Sequence, residues 1–147
     1  MSMYNEQQQK GILTELKCAE KFLELGFSVS FPYGNADRYD MLVDTGNHIF
    51  RIQVKTANLN ENGSYTVSTV TSVATTATRY KKHYDETQID FLVTIIDDKL
   101  VFMTPQFVQK SCSRVFRVEL PKYGSKSNCN LIEDFSFEKI MKPIIDD

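Results

Sequence analysis

The sequence predicts an α/β fold with a mixed, mainly antiparallel central sheet flanked by helices. Residues 7–25 have helical periodicity, two strands are expected on either side of Gly46 and Asn47, and further β-branched runs follow. The chain has 147 residues, of which 41% are hydrophobic, and it shows no internal repeat or interdomain linker. We therefore expect a single globular domain over residues 1–147.

The first expected element is an amphipathic helix over residues 7–25, with Gly26 as its stop signal. Glu15 falls inside the apolar stripe of this helix, where a carboxylate is costly to bury unless it is paired, hydrogen-bonded or near a cation. Glu15 is therefore either part of a metal site that faces the sheet or a residue at the rim that pairs with a Lys or Arg. The stripe is expected to consist of Ile12, Leu16, Ala19, Phe22 and Leu23.

A hairpin is expected across the Gly-Asn turn, with its strands at residues 38–43 and 51–56. Side chains alternate across a strand, so Gln53 and Lys55 share one face. With a two-residue loop, Asp40 lies opposite Gln53, and Arg38 lies opposite Lys55. A looser turn would place Asp40 opposite Arg51 and would keep the same face. A carboxylate, an amide and an ammonium are therefore expected to converge on the hairpin.

The later elements are predicted from β-branched runs and turn signals. Strands are expected at residues 64–73, 89–96, 99–103 and 115–120, with a second hairpin turn at Asp97 and Asp98. Short helices are expected near residues 107–110 and 135–141, a helix or loop at 79–84, and a polar loop at 124–130.

The order of these motifs resembles the PD-(D/E)XK nuclease superfamily, and within it the bacterial group I intron homing endonuclease branch. The segments that carry the resemblance are residues 10–15, 26–27, 31–40 and 51–57, with a fainter likeness at 120–135. The resemblance implies a restriction-endonuclease-like core. Tyr39 stands where the superfamily has its proline, and Gln53 stands where it has its second acid, a variant that occurs among active members.

The resemblance also implies a metal-dependent phosphodiesterase whose catalytic residues are Glu15, Asp40, Gln53 and Lys55. Oxygen ligands suit Mg²⁺, and Mn²⁺ is expected to substitute. Asp40 would be a direct ligand, together with the Gln53 amide oxygen and the Val54 carbonyl, while Glu15 would bind directly or through water. Lys55 would orient the attacking water or stabilise the phosphate. Because the Gln53 carboxamide is neutral, the site should hold a divalent ion less tightly than two carboxylates would.

The expected activity is cleavage of double-stranded DNA at a specific site, as in homing endonucleases. Cutting both strands with one site per chain requires two copies, so a homodimer or homotetramer is expected. Two alternatives stay open. The substrate could be a Holliday junction or other branched DNA, or the chain could be a catalytically inactive DNA-binding module.

Net charge argues against general affinity for nucleic acid, because the chain carries -2 and has a pI near 5.7. Local positive charge must therefore provide the DNA contacts. Residues 79–84 interleave cations with aromatic rings, and they are either part of a DNA-binding stripe or a solvated face. The expected DNA-binding residues are Arg38, Arg79, Lys81, Lys82, Lys122 and Lys126, with Arg114 and Arg117 as possible additions.

The three cysteines, Cys18, Cys112 and Cys129, are an odd number without metal-ligand spacing, so we expect reduced thiols and a cytoplasmic protein. No signal peptide or membrane-spanning run is visible in the sequence. The expected partners are double-stranded or branched DNA and further copies of the chain, with no membrane.

Overall fold

The computed structural model describes residues 3–34, 38–74, 77–124 and 129–147. In chain order its first elements are α1 (Glu6–Glu24), β1 (Ser28–Ser30), β2 (Met41–Asp44), β3 (Ile49–Val54), β4 (Ala57–Leu59), β5 (Tyr65–Ser68), β6 (Val70–Ala74) and β7 (Arg79–His83). They are followed by β8 (Phe91–Ile96), β9 (Lys99–Met103), α2 (Pro105–Val108), β10 (Ser113–Arg117), β11 (Asn130–Leu131), a 3₁₀ turn (Ile132–Phe135), α3 (Phe137–Ile140) and α4 (Lys142–Ile145).

The central sheet has five strands in the order β1-β2-β3-β8-β9. Neighbouring strands are antiparallel except β3 and β8, which are parallel. A second sheet has the order β11-β10-β5-β4, and β6 and β7 form a two-stranded ribbon. The α/β class and the mixed, mainly antiparallel central sheet are therefore confirmed.

Two hydrophobic cores lie on opposite faces of the central sheet, because neighbouring side chains of a strand alternate between its faces. Phe91 and Val93 of β8 belong to the core under α1, whereas Leu92 belongs to the core shared with the second sheet. In the first core the rings of Phe22 and Phe102 meet edge to face, with centroids 6.0 Å apart. These contacts hold α1 across the middle of the sheet.

Both ends of α1 carry the expected stop signals. Asn5 is the N-cap, and its side chain accepts a hydrogen bond from the Gln8 N–H while the Gln8 side chain accepts one from the Asn5 N–H. Gly26 follows the helix with a φ of 88°, a conformation that favours glycine. The predicted bounds were correct to within one residue.

The predicted apolar stripe of α1 was partly wrong. Ile12, Leu16 and Leu23 are exposed, and the buried residues of the helix are Cys18, Ala19 and Phe22. The packed face is therefore rotated away from the one that simple counting of large apolar residues favours. Small side chains at Cys18 and Ala19 let the helix approach the sheet closely, and this is why the larger leucines lie outside.

The two-residue loop of the first hairpin has the predicted register. Asp44 pairs with Ile49, and the ladder continues to Met41 opposite Ile52. The predicted pairs beyond that point were wrong. The Asp40 N–H donates to the Ile52 carbonyl at 2.8 Å although Ile52 is the partner of Met41, so two consecutive residues face one. That is the pattern of a β-bulge.

Arg38 is likewise not paired with Lys55, because β2 begins only at Met41. Three other strand predictions also need correction. The single strand expected at 64–73 is divided at Thr69 into β5 and β6, the strand expected at 115–120 is β10, at Ser113–Arg117, and residues 79–83 form β7 rather than a helix or loop. The short strands β1, β4 and β11 were not predicted.

The second hairpin was located correctly, and the short helices only approximately. The helix expected at 107–110 is α2, at Pro105–Val108, and the single helix expected at 135–141 is α3, at Phe137–Ile140, with α4 following it. Asp97 and Asp98 have positive φ values of 53° and 58°, as a tight turn between β8 and β9 requires. Thr104 caps α2, and Pro105 occupies the first turn of that helix. Within the described ranges, no helix is both long and apolar enough to cross a membrane.

A matched pair of substitutions tests the observed packing of α1. Phe22→Ala should lower the free energy of unfolding by about 3–5 kcal/mol, because it opens a cavity beside Phe102. Leu16→Ala should change it by only about 0.5 kcal/mol, because Leu16 is 57% exposed. Urea unfolding of both variants measures the difference. Equal losses would show that the helix packs through another face.

Candidate active site

The bulge at the start of β2 determines where the Asp40 side chain lies. Tyr39 packs with the core on the far side of the sheet and Met41 with the core under α1. Without the bulge, Asp40 would point to the face opposite Met41. Instead its carboxyl group contacts Glu15 on α1, and its Oδ2 accepts a hydrogen bond from the Val54 N–H at 2.8 Å.

Glu15 lies on the packed side of α1 and is half-buried. Removal from water raises the pKa of its carboxyl group to about 7, and the charge of Asp40 and a hydrogen bond with Asp40 act in the same direction. The two carboxyl groups therefore share a proton near neutral pH. A cation placed between them would remove the repulsion that holds this proton.

The surroundings of Asp40 act on its pKa in opposite directions. Burial raises the pKa of Asp40, while hydrogen bonds from Val54 and Glu15 and the positive charge of Lys55 act against that rise. Below the pair lies Cys18, which is fully buried. Burial and then the charges of Glu15 and Asp40 raise the pKa of the Cys18 thiol to about 12, so this thiol stays neutral and packs as an apolar side chain.

Gln53, Val54 and Lys55 follow one another at the end of β3, where the Val54 N–H and the Lys55 charge act on Asp40. The Gln53 side chain is half-buried, and its Nε2 donates to the Val54 carbonyl at 3.3 Å. The backbone of Val54 thus serves the site twice, because its N–H holds Asp40 and its carbonyl meets the Gln53 amide. Ile52 and Val54 belong to the core under α1, so alternation places the Gln53 side chain on the opposite face of the sheet from Glu15.

The Lys55 ammonium group is held at the base of the β6–β7 ribbon. Its Nζ donates to the Val70 carbonyl at 3.1 Å and lies 5.5 Å from the centroid of the Tyr84 ring. Val70 begins β6, and Tyr84 directly follows β7. Both residues are at least 95% buried. The amine thus has a defined position and still acts electrostatically on Asp40.

The donor set fits a hard divalent cation. Carboxylate, amide and carbonyl oxygens are ligands that Mg²⁺ accepts, and Mg²⁺ usually keeps several waters. Among the described residues there is no group of three or more His, Cys, Asp or Glu side chains that could hold a metal. The candidate site has two carboxyl groups, Glu15 and Asp40, and any further protein ligands there would be neutral oxygens.

Residues 5–138 match the PD-(D/E)XK endonuclease family, which is nearly the whole chain. The chain belongs to this family. A search of curated proteins finds no match. Among solved structures, the chain is similar to a bacterial homing endonuclease, I-Ssp6803I, with a TM-score of 0.72 and 16% sequence identity over 84% of this chain and 86% of that one. This likeness confirms the restriction-endonuclease-like fold.

The positively charged residues predicted to bind DNA lie in several places on this PD-(D/E)XK protein. Arg79, Lys81 and Lys82 are exposed on β7, and Lys122 is exposed in the loop after β10. Arg38 is half-buried, and its charge contributes to a lowered pKa of Asp85, for which hydrogen bonds from Thr87 are the main cause. Lys126 lies outside the described residues.

Two further arginines have structural contacts instead. The Arg114 guanidinium group donates to the Phe107 carbonyl at 3.1 Å and lies over the Phe107 ring, 3.8 Å from its centroid. Arg117 donates to the Asn62 carbonyl at 3.2 Å. Both interactions connect elements of the second sheet and its surroundings, so these side chains are already engaged within the fold.

Sequence patterns do not identify the residues that support Lys55 in this PD-(D/E)XK site. They place Tyr84 only in a stripe of cations and aromatic rings, and Val70 only in a strand. Their role depends on the ribbon returning to the end of β3, which is a tertiary arrangement. The one local signal was the alternation of aromatic and basic residues before Tyr84.

The shared proton predicts a pH-dependent stability. In the unfolded chain Glu15 titrates near 4.5, whereas in the folded protein it titrates near 7. The folded state binds this proton more tightly, so the free energy of unfolding should fall as the pH rises from about 5 to about 8. Glu15→Gln removes the ionisation and should raise the thermal midpoint at pH 8 in EDTA, with little change at pH 5.

The matched control is Glu20→Gln, because Glu20 is exposed on the same helix. Its effect should be the same at both pH values. A thermal midpoint of Glu15→Gln that stays parallel to that of the parent protein from pH 5 to pH 8 would contradict the close pairing of Glu15 and Asp40.

Proposed function

We propose that the chain is a Mg²⁺-dependent endonuclease that hydrolyses phosphodiester bonds in double-stranded DNA, with Mn²⁺ able to substitute. The observation that carries this proposal is the contact between the Glu15 and Asp40 carboxyl groups at the end of β3. The membership of the chain in the PD-(D/E)XK endonuclease family supports phosphodiester hydrolysis at this pair of acids. Such a pair is costly to a fold unless it has a function.

Four residues would bind the metal ion. Asp40, the Gln53 amide oxygen and the Val54 carbonyl would hold the ion, with Glu15 bound directly or through water. Bound Mg²⁺ would supply a Lewis acid that polarises a phosphoryl oxygen and lowers the pKa of the attacking water. The hydrogen bond from Val54 fixes the Asp40 carboxylate, so the oxygen not held by this bond has a defined direction.

Lys55 would act on the phosphate. Its ammonium group carries a positive charge where negative charge builds up on the phosphoryl oxygens during attack. The Val70 carbonyl and the Tyr84 ring keep this charge in place without neutralising it. A position fixed before the substrate arrives reduces the reorganisation needed in the transition state.

We propose that cleavage is site-specific and that the protein acts as a homodimer or homotetramer. The likeness of the fold to a bacterial homing endonuclease supports the first point. The second follows from the chemistry, since one site per chain cuts one strand. A cytoplasmic location fits the free thiols of Cys18, Cys112 and Cys129.

DNA contacts are proposed for the β6–β7 ribbon, with Arg38, Lys122 and Lys126 as additional contacts. A two-stranded ribbon fits the major groove of B-DNA. Its base is anchored, because Thr69 N–H donates to the Cys112 carbonyl at 3.0 Å and Tyr84 is buried. Farther along, Arg79, Lys81 and Lys82 are exposed. A ribbon that is fixed at one end and basic on its outer strand suits phosphate and base contacts.

A catalytically inactive DNA-binding module is the second candidate. The observation that favours it is the neutral Gln53 in place of an acid, which leaves only two carboxyl groups among the described residues of the site. Such a site would bind the divalent ion weakly. Binding of DNA without cutting, in both Mg²⁺ and Mn²⁺, would establish this candidate.

The decisive experiment is incubation of the purified protein with linear duplexes, supercoiled plasmid and a four-way junction, each with Mg²⁺, Mn²⁺ or EDTA. Metal-dependent cutting of long duplex at a discrete position supports the proposed activity. Symmetric cutting of the junction alone would indicate a branched-DNA resolvase. Cutting that persists in EDTA would refute metal dependence.

Asp40→Asn and Lys55→Met should each lower the cleavage rate about 100-fold or more, because each removes a charge from the site. Asn can still accept the hydrogen bond from Val54, and Met keeps most of the Lys55 side-chain volume, so the fold should be preserved. Asp44→Asn is the matched control, since Asp44 is exposed on the same strand as the site. Single-turnover rates provide the measurement, and a wild-type rate in either site variant would rule out its role.

Replacing Lys81 and Lys82 of the ribbon with Gln should weaken DNA binding and its dependence on salt. Each lost phosphate contact should lower the slope of log K against log salt by about 0.9. The control is Lys139→Gln with Lys142→Gln, which changes the same charge on α3 and α4. Fluorescence anisotropy at several salt concentrations gives the slopes. If the ribbon variant and the control have the same slope, the ribbon is an ordinary surface.

A further inference from the structure

A groove of about 360 Å³ lies between α1 and the segment that begins β4. Lys10, Thr14 and Lys17 line it from the helix, and Thr56 and Asn58 line it from the strand. Sequence patterns gave no reason to connect these residues. The groove is formed only because β4 leaves the end of β3 alongside α1.

The groove adjoins the candidate active site, because two of its lining residues are chain neighbours of site residues. Thr14 directly precedes Glu15, and Thr56 directly follows Lys55. The hydroxyl groups of Thr14 and Thr56 are 3.1 Å apart, and this hydrogen bond joins the two walls next to the site. A strand of DNA bound in the groove would therefore lie directly beside the candidate site, next to the Thr14–Thr56 hydrogen bond.

The charge of the groove has one sign. Lys10 and Lys17 are its charged lining residues, and no acidic residue is among the described residues that line it. Lys10 does have a partner, Glu6, at 3.7 Å, but the two side chains are 57% and 84% exposed. Ion pairs at such exposure contribute little, so a phosphate can replace Glu6 at small cost. The chain has a net charge of -2, so the positive charge of the groove is a local feature and not a property of the whole surface.

The spacing of the two lysines suits a polynucleotide. Lys10 and Lys17 are seven residues apart on α1, which is about 10.5 Å along a helix that rises 1.5 Å per residue. On one strand of B-DNA a phosphate recurs at about every 3.4 Å of the duplex axis, so two amines this far apart contact different phosphates. Asn58 adds an exposed amide, a group that donates to phosphate oxygens. The Thr14 hydroxyl donates to the Lys10 carbonyl at 2.7 Å and accepts from Thr56, so these two hydroxyl groups shape the groove wall and leave phosphate binding to Lys10, Lys17 and Asn58.

We infer that this groove binds the backbone of the DNA strand that is cut, with Lys10 and Lys17 on phosphates flanking the scissile one. The inference rests on the proposed endonuclease function and adds a binding track that is separate from the ribbon. Its role is to align the strand, and this fixes the scissile phosphate relative to Asp40 and Lys55. Contacts to backbone phosphates position a duplex without reading its sequence.

A second copy of the chain is the other occupant to consider, since Leu13 and Leu59 are exposed beside the groove. A two-fold interface places the same patch on both sides. The four lysines of two copies would then lie in one contact without acidic partners from the groove lining. Nucleic acid provides the charge that this surface lacks, so we favour DNA as the occupant.

The test is DNA binding by Lys10→Gln with Lys17→Gln, measured in EDTA on a 30-base-pair duplex of random sequence between about 50 and 200 mM salt. The slope of log K against log salt should fall by about 1.8, two contacts at about 0.9 each, with binding more than tenfold weaker at 100 mM salt. The control is Lys139→Gln with Lys142→Gln. Lys142 forms the same kind of i,i+4 ion pair with Asp146 that Lys10 forms with Glu6, so the control reproduces the loss of such a pair.

The outcomes separate this inference from the proposed function. If the parent protein binds no DNA, both are overturned. If the parent binds and the groove variant has the same slope as the control, only the groove is overturned. Gel filtration of Leu13→Asp tests the other occupant. If this variant dissociates an oligomer and DNA binding is unchanged, the groove is a protein interface and the inference is overturned. Circular dichroism confirms that each variant is folded.

Discussion

Two carboxyl groups that would repel each other in water are held together by the packing of α1 on the β2–β3 hairpin. Phe22 and Cys18 on the inner face of α1 are fully buried, so the helix cannot move away from Asp40 without opening the core. The raised pKa of Glu15 expresses the resulting free-energy cost. The core packing that stabilises the fold therefore also brings the two carboxyl groups together, and a bound cation would relieve their repulsion.

The bulge at Asp40 explains how a hairpin and a helix on one side of a sheet can share a site. The Gly-Asn signal correctly predicted the two-residue turn and its register. Regular alternation from that turn would have pointed Asp40 to the face away from α1, where it does place Gln53. Alternation cannot predict an inserted residue, because a bulge depends on the hydrogen bonds of the partner strand. Here the Asp40 N–H donates to the Ile52 carbonyl, and the Asp40 carboxylate accepts from the Val54 N–H. The residues of the candidate site could be named from the sequence, but the geometry that joins Asp40 to Glu15 could not.

The course of α1 shows a second limit of sequence patterns. Its bounds followed from the Asn5 cap and Gly26, which are local signals. Its buried face did not, because the sheet selects small residues for close approach, and exposed leucines then misdirect a count of apolar spacing. Residues 79–83 failed for a related reason. Their charges suggested a helix or loop, yet pairing with β6 makes them a strand, and pairing between strands is a tertiary property.

Charge segregation lets an acidic chain present separate basic surfaces to a polyanion. The ribbon carries cations on one side of the end of β3, and the groove of Lys10 and Lys17 begins on the other. Lys55 and its neighbour Thr56 connect the ribbon to the groove. The Lys55 amine is held by Val70 and Tyr84 at the base of the ribbon, while Thr56 closes the groove against Thr14. A displacement of the ribbon relative to the core must therefore move the groups that position the amine, and this links the place where DNA would be held to the place where its phosphate would be attacked.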